Sequence, residues 1–169
     1  FIGFSDATSL HILFHKKWKW TPIHGPALSQ ISEKTISSES IKLIKNVVCG
    51  KQKNYLLKGL IPLNKSAKQS SQIQSKIVGG NLSLVQYGLG TTWQLATDNK
   101  IFFCEEVNEP AYRIAERIEH LKQNGLFDKC LAIIFGDFTF SKNDKEQNLY
   151  SHVLKQFAEE TSIPTLRCL

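Results

Sequence analysis

The stretch Lys100-Ile101-Phe102-Phe103-Cys104-Glu105-Glu106-Val107-Asn108-Glu109-Pro110-Ala111-Tyr112-Arg113-Ile114 decides the fold. The unbroken apolar run from Ile101 to Cys104 has the length of a strand buried on both faces, as in a parallel sheet. Two carboxylates follow it. Pro110 stands at a first helical position, where no N–H is needed. Ala111, Ile114, Ala115, Ile118 and Leu121 then recur at helical spacing, and Gly125 stops the pattern. A buried strand feeding an amphipathic helix is the repeating unit of an α/β fold.

The unit recurs on both sides. Downstream, Cys130–Phe135 reads as a buried strand ending at Gly136, residues 145–160 as a helix, and Ile163–Leu166 as the next strand. Upstream, Lys76–Val78 is a strand running into Gly79-Gly80, and Leu82–Leu89 is a short helix closed by Gly90. Residues 64–75 are polar and poor in apolar groups, the pattern of a linker or long surface loop. Before them the alternation has the same character. Residues 1–4 read as the end of a buried strand, 7–17 as a helix, and Trp20–Ile23 as a short strand ended by Gly25-Pro26. Residues 39–49 read as a helix with serines before it and Gly50 after it, and Tyr55–Leu63 as a strand. The expected division is therefore 1–63, a linker at 64–75, and a second α/β unit over 76–169.

Composition narrows the class. The chain has 169 residues, 41% hydrophobic and 21% charged, which excludes a disordered or collagen-like chain. No apolar run approaches the ~18–20 residues of a membrane-spanning helix. Residues 1–80 carry 12 Lys and no Arg against 3 acidic groups, and the rest of the chain carries 9 basic against 12 acidic. The lysines are scattered, and without Arg, the residue that reads phosphates and bases in a fork, they do not point to nucleic acid. The cysteines at 49, 104, 130 and 168 form no C-x-x-C pair. Cys104 and Cys130 fall in apolar strands and read as reduced core residues. The chain contains no Met and opens abruptly on Phe1-Ile2-Gly3-Phe4-Ser5, so both ends are expected to belong to a longer protein.

Three turns could carry chemistry. In Gly3-Phe4-Ser5-Asp6 a strand runs into a helix, Gly3 permits close backbone passage, and Ser5 is pushed out above the strand edge. Helix-start N–H groups beside it can hold an oxyanion, which is the physics of a nucleophile elbow. The bland alternative is that Ser5 caps the helix. Glu105-Glu106 end a buried strand, where α/β proteins place their sites, although a solvated strand end has the same appearance. Gly79-Gly80-Asn81 joins a strand to a helix, with Asn81 as an ordinary N-cap in the plain reading.

Together these segments resemble one family. Ile2-Gly3-Phe4-Ser5-Asp6-Ala7-Thr8-Ser9-Leu10-His11, His24-Gly25-Pro26, Gly79-Gly80-Asn81-Leu82-Ser83-Leu84, Leu89-Gly90-Thr91 and Ile101–Val107 with Glu109 and Tyr112-Arg113-Ile114 are similar to LD-carboxypeptidases, serine peptidases that trim muropeptides, and to their relatives the microcin C immunity peptidases. The resemblance implies a partial flavodoxin-like N-terminal domain and a smaller, layered, swivelling α/β C-terminal domain. It also implies a Ser-Glu-His triad. Ser5 matches the nucleophile, the Asp6 N–H an oxyanion donor, and Glu105 the acid, with Glu106 the alternative register. Gly80 and Asn81 are candidate substrate contacts. The triad His is expected in a Gly-His segment beyond Leu169, and His11, His15, His24, His120 and His152 are read as surface or packing residues. The implied reaction releases terminal D-Ala from murein tetrapeptides, in cytoplasmic peptidoglycan recycling. No cofactor, metal, nucleic acid or membrane span is expected, and a homodimer is the candidate assembly. The rival activities are cleavage of aminoacyl-nucleotide amides and a non-catalytic binding module. The resemblance implies a Trp-bearing insertion before the Gly-Gly-Asn turn in the immunity peptidases, and residues 50–80 here are short and contain no Trp, which favours the muropeptidase over the first rival.

Overall fold

The structure is a computed structural model that describes residues 1–139 and 144–168. Its larger sheet carries the decisive stretch. Strands β4 (Ile77–Asn81), β5 (Ile101–Val107), β6 (Ala132–Thr139) and β7 (Thr165–Arg167) run parallel in adjacent positions, and β3 (Ile61–Pro62) adds antiparallel to β7, giving the order β3-β7-β6-β5-β4. Parallel neighbours need crossovers, and helices α5 (Leu82–Tyr87), α6 (Ala111–Gln123) and α7 (Asp144–Glu159) supply them. Their apolar faces meet one face of the sheet in a core of Leu82, Phe102, Ile114, Leu121, Phe135, Phe138, Tyr150 and Leu154. A smaller cluster of Ile101, Ala132 and Ile134, with Phe103 and Leu166 against it, lies on the other face. The α/β class read from the sequence is the class observed.

A second, two-stranded parallel sheet holds β1 (Ile2–Gly3) and β2 (Ile23–His24), joined by α1 (Ala7–Trp18). Helices α2 (Leu28–Ser32) and α3 (Ser38–Val48) follow. Ser37 caps α3 by accepting from the Ser40 N–H. Helix α1 packs on β4 and α5, so the two sheets meet along this helix. The Asn81 N–H donates to Thr8 Oγ1 at 2.9 Å across that junction. Gly80 makes the contact possible, because a Cβ there would lie 2.5 Å from the same oxygen.

Several boundaries differ from the sequence reading. The strand expected over Tyr55–Leu63 shrinks to Ile61–Pro62, since only these residues find the β7 edge, and Tyr55, Leu56 and Leu57 stay exposed. The polar segment 64–75, read as a linker, contains α4 (Lys65–Gln69) and is tied to the larger sheet. Asn64 caps α4 through Oδ1 and donates from Nδ2 to the carbonyls of Ala158, Thr161 and Ile163. One amide thus ties the last turn of α7 and the loop after it to the start of α4. Helix α2 has too few apolar residues to be anticipated. Glu105 and Glu106 lie in the last three residues of β5, at the strand end where the sequence places them. Leu169, at the end of the expected second unit, is outside the described residues.

Candidate functional site

Ser5 sits on the turn between β1 and α1. Its φ is 55°, a left-handed conformation that costs a non-glycine residue of order 1–3 kcal/mol. A Cβ on Gly3 would lie 2.7 Å from the Ala7 Cβ, so the tight return of the chain requires both the glycine and the small residue four positions on. Ser5 is exposed, and its hydroxyl makes no hydrogen bond among the described residues. It does not cap α1: Asp6 holds the cap position, without a side-chain cap. The turn closes through main-chain bonds from Ala7 N–H to Phe4 O and Thr8 N–H to Ser5 O. The Asp6 N–H has no acceptor among the described residues and is free to donate to a ligand oxygen.

The two adjacent carboxylates have opposite surroundings, because successive strand residues face opposite sides. Glu106 is buried and satisfied. It accepts from Asn81 Nδ2 at 2.7 Å, from the Ser83 N–H at 2.9 Å, from Ser83 Oγ, and from the Val107 N–H at 3.1 Å. These bonds lock the β4–α5 turn onto β5. Glu105 lies on the other face, paired in register with Asn81 and sharing its side with Phe103 and Gly136. Its Oε1 is shut off from solvent without a hydrogen-bond partner. Burial, then the charges of Glu106 and Asp137, push the carboxyl up to about 7. An acceptor this poorly served lacks a donor, and a carboxylate that orients an imidazole has that need.

Asn81 is 4% exposed and fully engaged: Oδ1 accepts from the Leu84 N–H, Nδ2 serves Glu106 and the backbone N–H serves Thr8. Each amide atom of Asn81 makes one bond inside the protein, and Gly80 and Asn81 form the turn beside Glu105.

None of the five histidines hydrogen-bonds to Ser5 or Glu105 among the described residues. His15 bonds the Trp20 carbonyl and His120 the Gln86 amide, while His152 is exposed on α7. His24 is nearer the site than its sequence reading suggests. It is in register with Gly3 on the neighbouring strand, and its ring centroid lies 5.4 Å from that of Phe103. His11, 7% exposed, stands behind it at 6.2 Å, and its Nε2 lacks a partner. Burial first and the neighbouring His24 next lower His11 to about 4, and burial lowers His24 as well. No cluster of three His, Cys, Asp or Glu side chains suited to a metal occurs among the described residues. The cysteines are free thiols, and no described helix is long and apolar enough to cross a membrane.

Residues 74–169 match the LD-carboxypeptidase C-terminal domain. Over 167 residues, 99% of the chain and 51% of the relative, the sequence is 36% identical to a Rickettsia conorii protein named as a carboxypeptidase. It is 29% identical over 171 residues, 99% of the chain and 52% of the relative, to a Bacillus subtilis protein named as a murein peptide carboxypeptidase. The chain thus spans about half the length of the curated relatives it matches. Among solved structures, muramoyltetrapeptide carboxypeptidase from Oxalobacter formigenes superposes with a TM-score of 0.74 at 20% identity, covering 100% of this chain and 57% of that one. The microcin C7 self immunity protein MccF in its wild-type apo state superposes at 0.67 with 22% identity, covering 99% and 58%. At these identities the superpositions establish a shared fold.

Proposed function

The chain belongs to the LD-carboxypeptidase family, and on that premise we propose that it carries the nucleophile and the orienting acid of a serine peptidase that removes D-Ala from murein tetrapeptides. The observation that carries this reading is the pairing of two unmet needs: a strained, exposed Ser5 on an elbow, and a Glu105 whose inner oxygen lacks a donor. A neutral serine is a poor nucleophile until a base takes its proton. In the proposed reaction a histidine outside residues 1–169 accepts the Ser5 proton while Glu105 holds its other ring nitrogen. Ser5 Oγ attacks the amide carbonyl between the L-centre of meso-diaminopimelate and D-Ala. The Asp6 N–H holds the oxyanion. The imidazolium returns its proton to the leaving amine, D-Ala departs, and water, deprotonated by the same base, hydrolyses the acyl-enzyme.

Glu105 rather than Glu106 is assigned the acid role because Glu106 has no free lone pair left to orient anything. The division into 1–63, 64–75 and 76–169 is proposed with one adjustment of meaning: the middle segment is a fixed connector, anchored by Asn64, instead of a free tether. Murein tetrapeptide is the favoured substrate because relatives named for murein peptides match over nearly the whole chain.

The test uses the protein extended over the full length of its curated relatives. Released D-Ala is measured from a murein tetrapeptide, and hydrolysis is measured in parallel on an aminoacyl-sulfamoyl nucleotide. The expected result is turnover of the tetrapeptide, faster than of the nucleotide conjugate. Ser5→Ala should lower it by about 10⁴–10⁶, as loss of a triad member does. Residues 1–169 alone should be comparably inactive. Full activity in Ser5→Ala would overturn the serine mechanism. Full activity in residues 1–169 would place the base inside the chain, with His24 the first candidate.

A further inference from the structure

The larger sheet is irregular at one point, and that point is Glu105. Cys104 pairs with Phe135 and Glu106 pairs with Phe138, so two residues of β6, Gly136 and Asp137, lie opposite the single residue Glu105. This is a β-bulge, a device that bends one strand and re-aims the side chains beside it. The bulge is shaped for its neighbours. A Cβ on Gly136 would lie 3.3 Å from the Glu105 Cβ and 2.8 Å from the Phe103 ring, so glycine leaves room for both. Asp137 is the exposed member of the bulge. Its carboxylate makes no ion pair or hydrogen bond among the described residues.

Of the other groups around Glu105, Glu106 is a second carboxylate, buried on the opposite face of β5, and the rest are neutral or ion-paired. Glu106 is held by four donors. The thiols of Cys104 and of Cys168, which lies near Asp137, are both pushed upward by burial and so stay protonated near neutral pH. His24 and His11, beyond Phe103, are pushed downward by burial and stay uncharged there. Arg113 and Arg117, on α6, are both occupied by Glu109. Asp137 is therefore the exposed, unpaired charge that acts on Glu105.

We propose that Asp137 is a positioning residue of the active site, with the β6 bulge holding its unpaired carboxylate beside Glu105 so that the imidazole oriented by Glu105 meets two negative charges instead of one. The inference rests on the serine-peptidase reading above. The second charge stabilises the imidazolium that forms when Ser5 gives up its proton, which strengthens the base. It also sets the working pH. Repulsion from Asp137 makes Glu105 harder to ionise, and attraction makes the imidazolium harder to deprotonate. Both effects move the acidic limb of the pH–rate profile upward.

The experiment measures kcat and KM for D-Ala release from a murein tetrapeptide between about pH 5 and pH 9, in the full-length protein. Asp137→Asn should shift the acidic limb of kcat/KM downward by about 0.5–1 pH unit and lower the plateau kcat about two- to five-fold. KM should stay within about two-fold, and Asp137→Glu, which keeps the charge, should hold the limb near its original position. An unmoved limb in Asp137→Asn overturns the proposal, whether melting temperature changes or not. A KM rise of about ten-fold with an unmoved limb would make Asp137 a substrate contact and would overturn it equally. Glu105→Gln separates the two levels. If that variant keeps full activity, the serine-peptidase reading fails. If it abolishes activity while Asp137→Asn leaves the profile in place, only the role of Asp137 fails.

Discussion

The two sheets are built from the same alternation of strand and helix but differ in what they bury. In the region from Ile61 to Arg167, helices α5, α6 and α7 close over one sheet face, and Phe102, Ile133, Phe135, Leu121 and Tyr150 are fully enclosed. In the region from Ile2 to Val48, Ile12 is the one apolar side chain that is buried, and it stays 5% exposed. Phe1, Ile2, Phe4, Leu10, Trp18 and Trp20 stay exposed around β1 and α1. Helix α3 has a well-segregated apolar face, but Ile41, Leu43, Ile44 and Val47 on it are only half-buried. Periodicity in the sequence therefore specifies an element whether or not a partner covers it, while stability depends on the cover. The candidate site lies along the seam: Ser5 comes from the open region and Glu105 from the closed one.

The largest expected effect tests that contrast directly. Phe102 is completely buried and touches Phe127 edge-on, with ring centroids 5.3 Å apart. Phe102→Ala should cost about 3–5 kcal/mol, the lost burial plus the cavity left behind. Phe14 has more aromatic neighbours, meeting Phe1 edge-on at 5.3 Å, stacking on Trp18 at 5.0 Å and lying 5.5 Å from Trp20, but all these rings stand in the open region. Phe14→Ala should cost no more than about 1 kcal/mol. Urea denaturation of both variants measures the difference. Equal losses would mean that the region around α1 is packed as firmly as the larger sheet, and the contrast would collapse.

The elements of the closed region were legible because their signals are local. Pro110, the apolar stripe of α6 and Gly125 together fix one helix, and the Ile101–Cys104 run fixes one strand. The Ser5 turn was legible for the same reason, since Gly3, Ser5 and Ala7 are neighbours. What escaped the sequence depends on distant partners. Asn64 reaches residues nearly a hundred positions away, so a polar segment that looked like a tether proved to be anchored. The apolar residues 55–57 lack a strand to pair with. The division of labour between Glu105 and Glu106 needed the β4–α5 turn to supply donors on one side only. The bulge at Gly136-Asp137 has no sequence signal beyond the glycine itself.

A smaller effect is expected at the junction of the two regions. Thr8 is fully buried on α1, and its hydroxyl accepts the Asn81 N–H. Thr8→Val keeps the volume and removes the acceptor, leaving a buried N–H unpaired, which costs about 1–3 kcal/mol. The variant should also loosen the seam, because this bond ties the helix that follows Ser5 to the strand residue in register with Glu105. In the full-length protein, kcat should fall more than KM rises, since a misaligned seam separates catalytic groups without removing substrate contacts. Amide exchange read at Asn81 checks the structural half: protection there should drop selectively, and unchanged protection would show that the bond does not hold the seam.

The smallest effect concerns the strain that the closed region carries at Glu105. Its carboxyl is raised from 4.5 to about 7 by burial and by the charges of Glu106 and Asp137, so folding opposes its ionisation. An acid raised in the folded state lowers stability as pH increases: the penalty is absent below about 4.5, where the group is protonated folded or unfolded, and complete above about 7, where it is ionised in both. Glutamine cannot ionise, so Glu105→Gln should leave stability unchanged at pH 4 and raise it at pH 8. Part of the carboxyl still meets solvent, which screens the charge and reduces the expected gain to about 1 kcal/mol. Melting curves at the two pH values give the answer. A gain confined to high pH, in a variant that has lost D-Ala release, would identify Glu105 as a charge kept at a cost to the fold. A gain equal at both pH values would trace the effect to packing, and the raised carboxyl would no longer account for it.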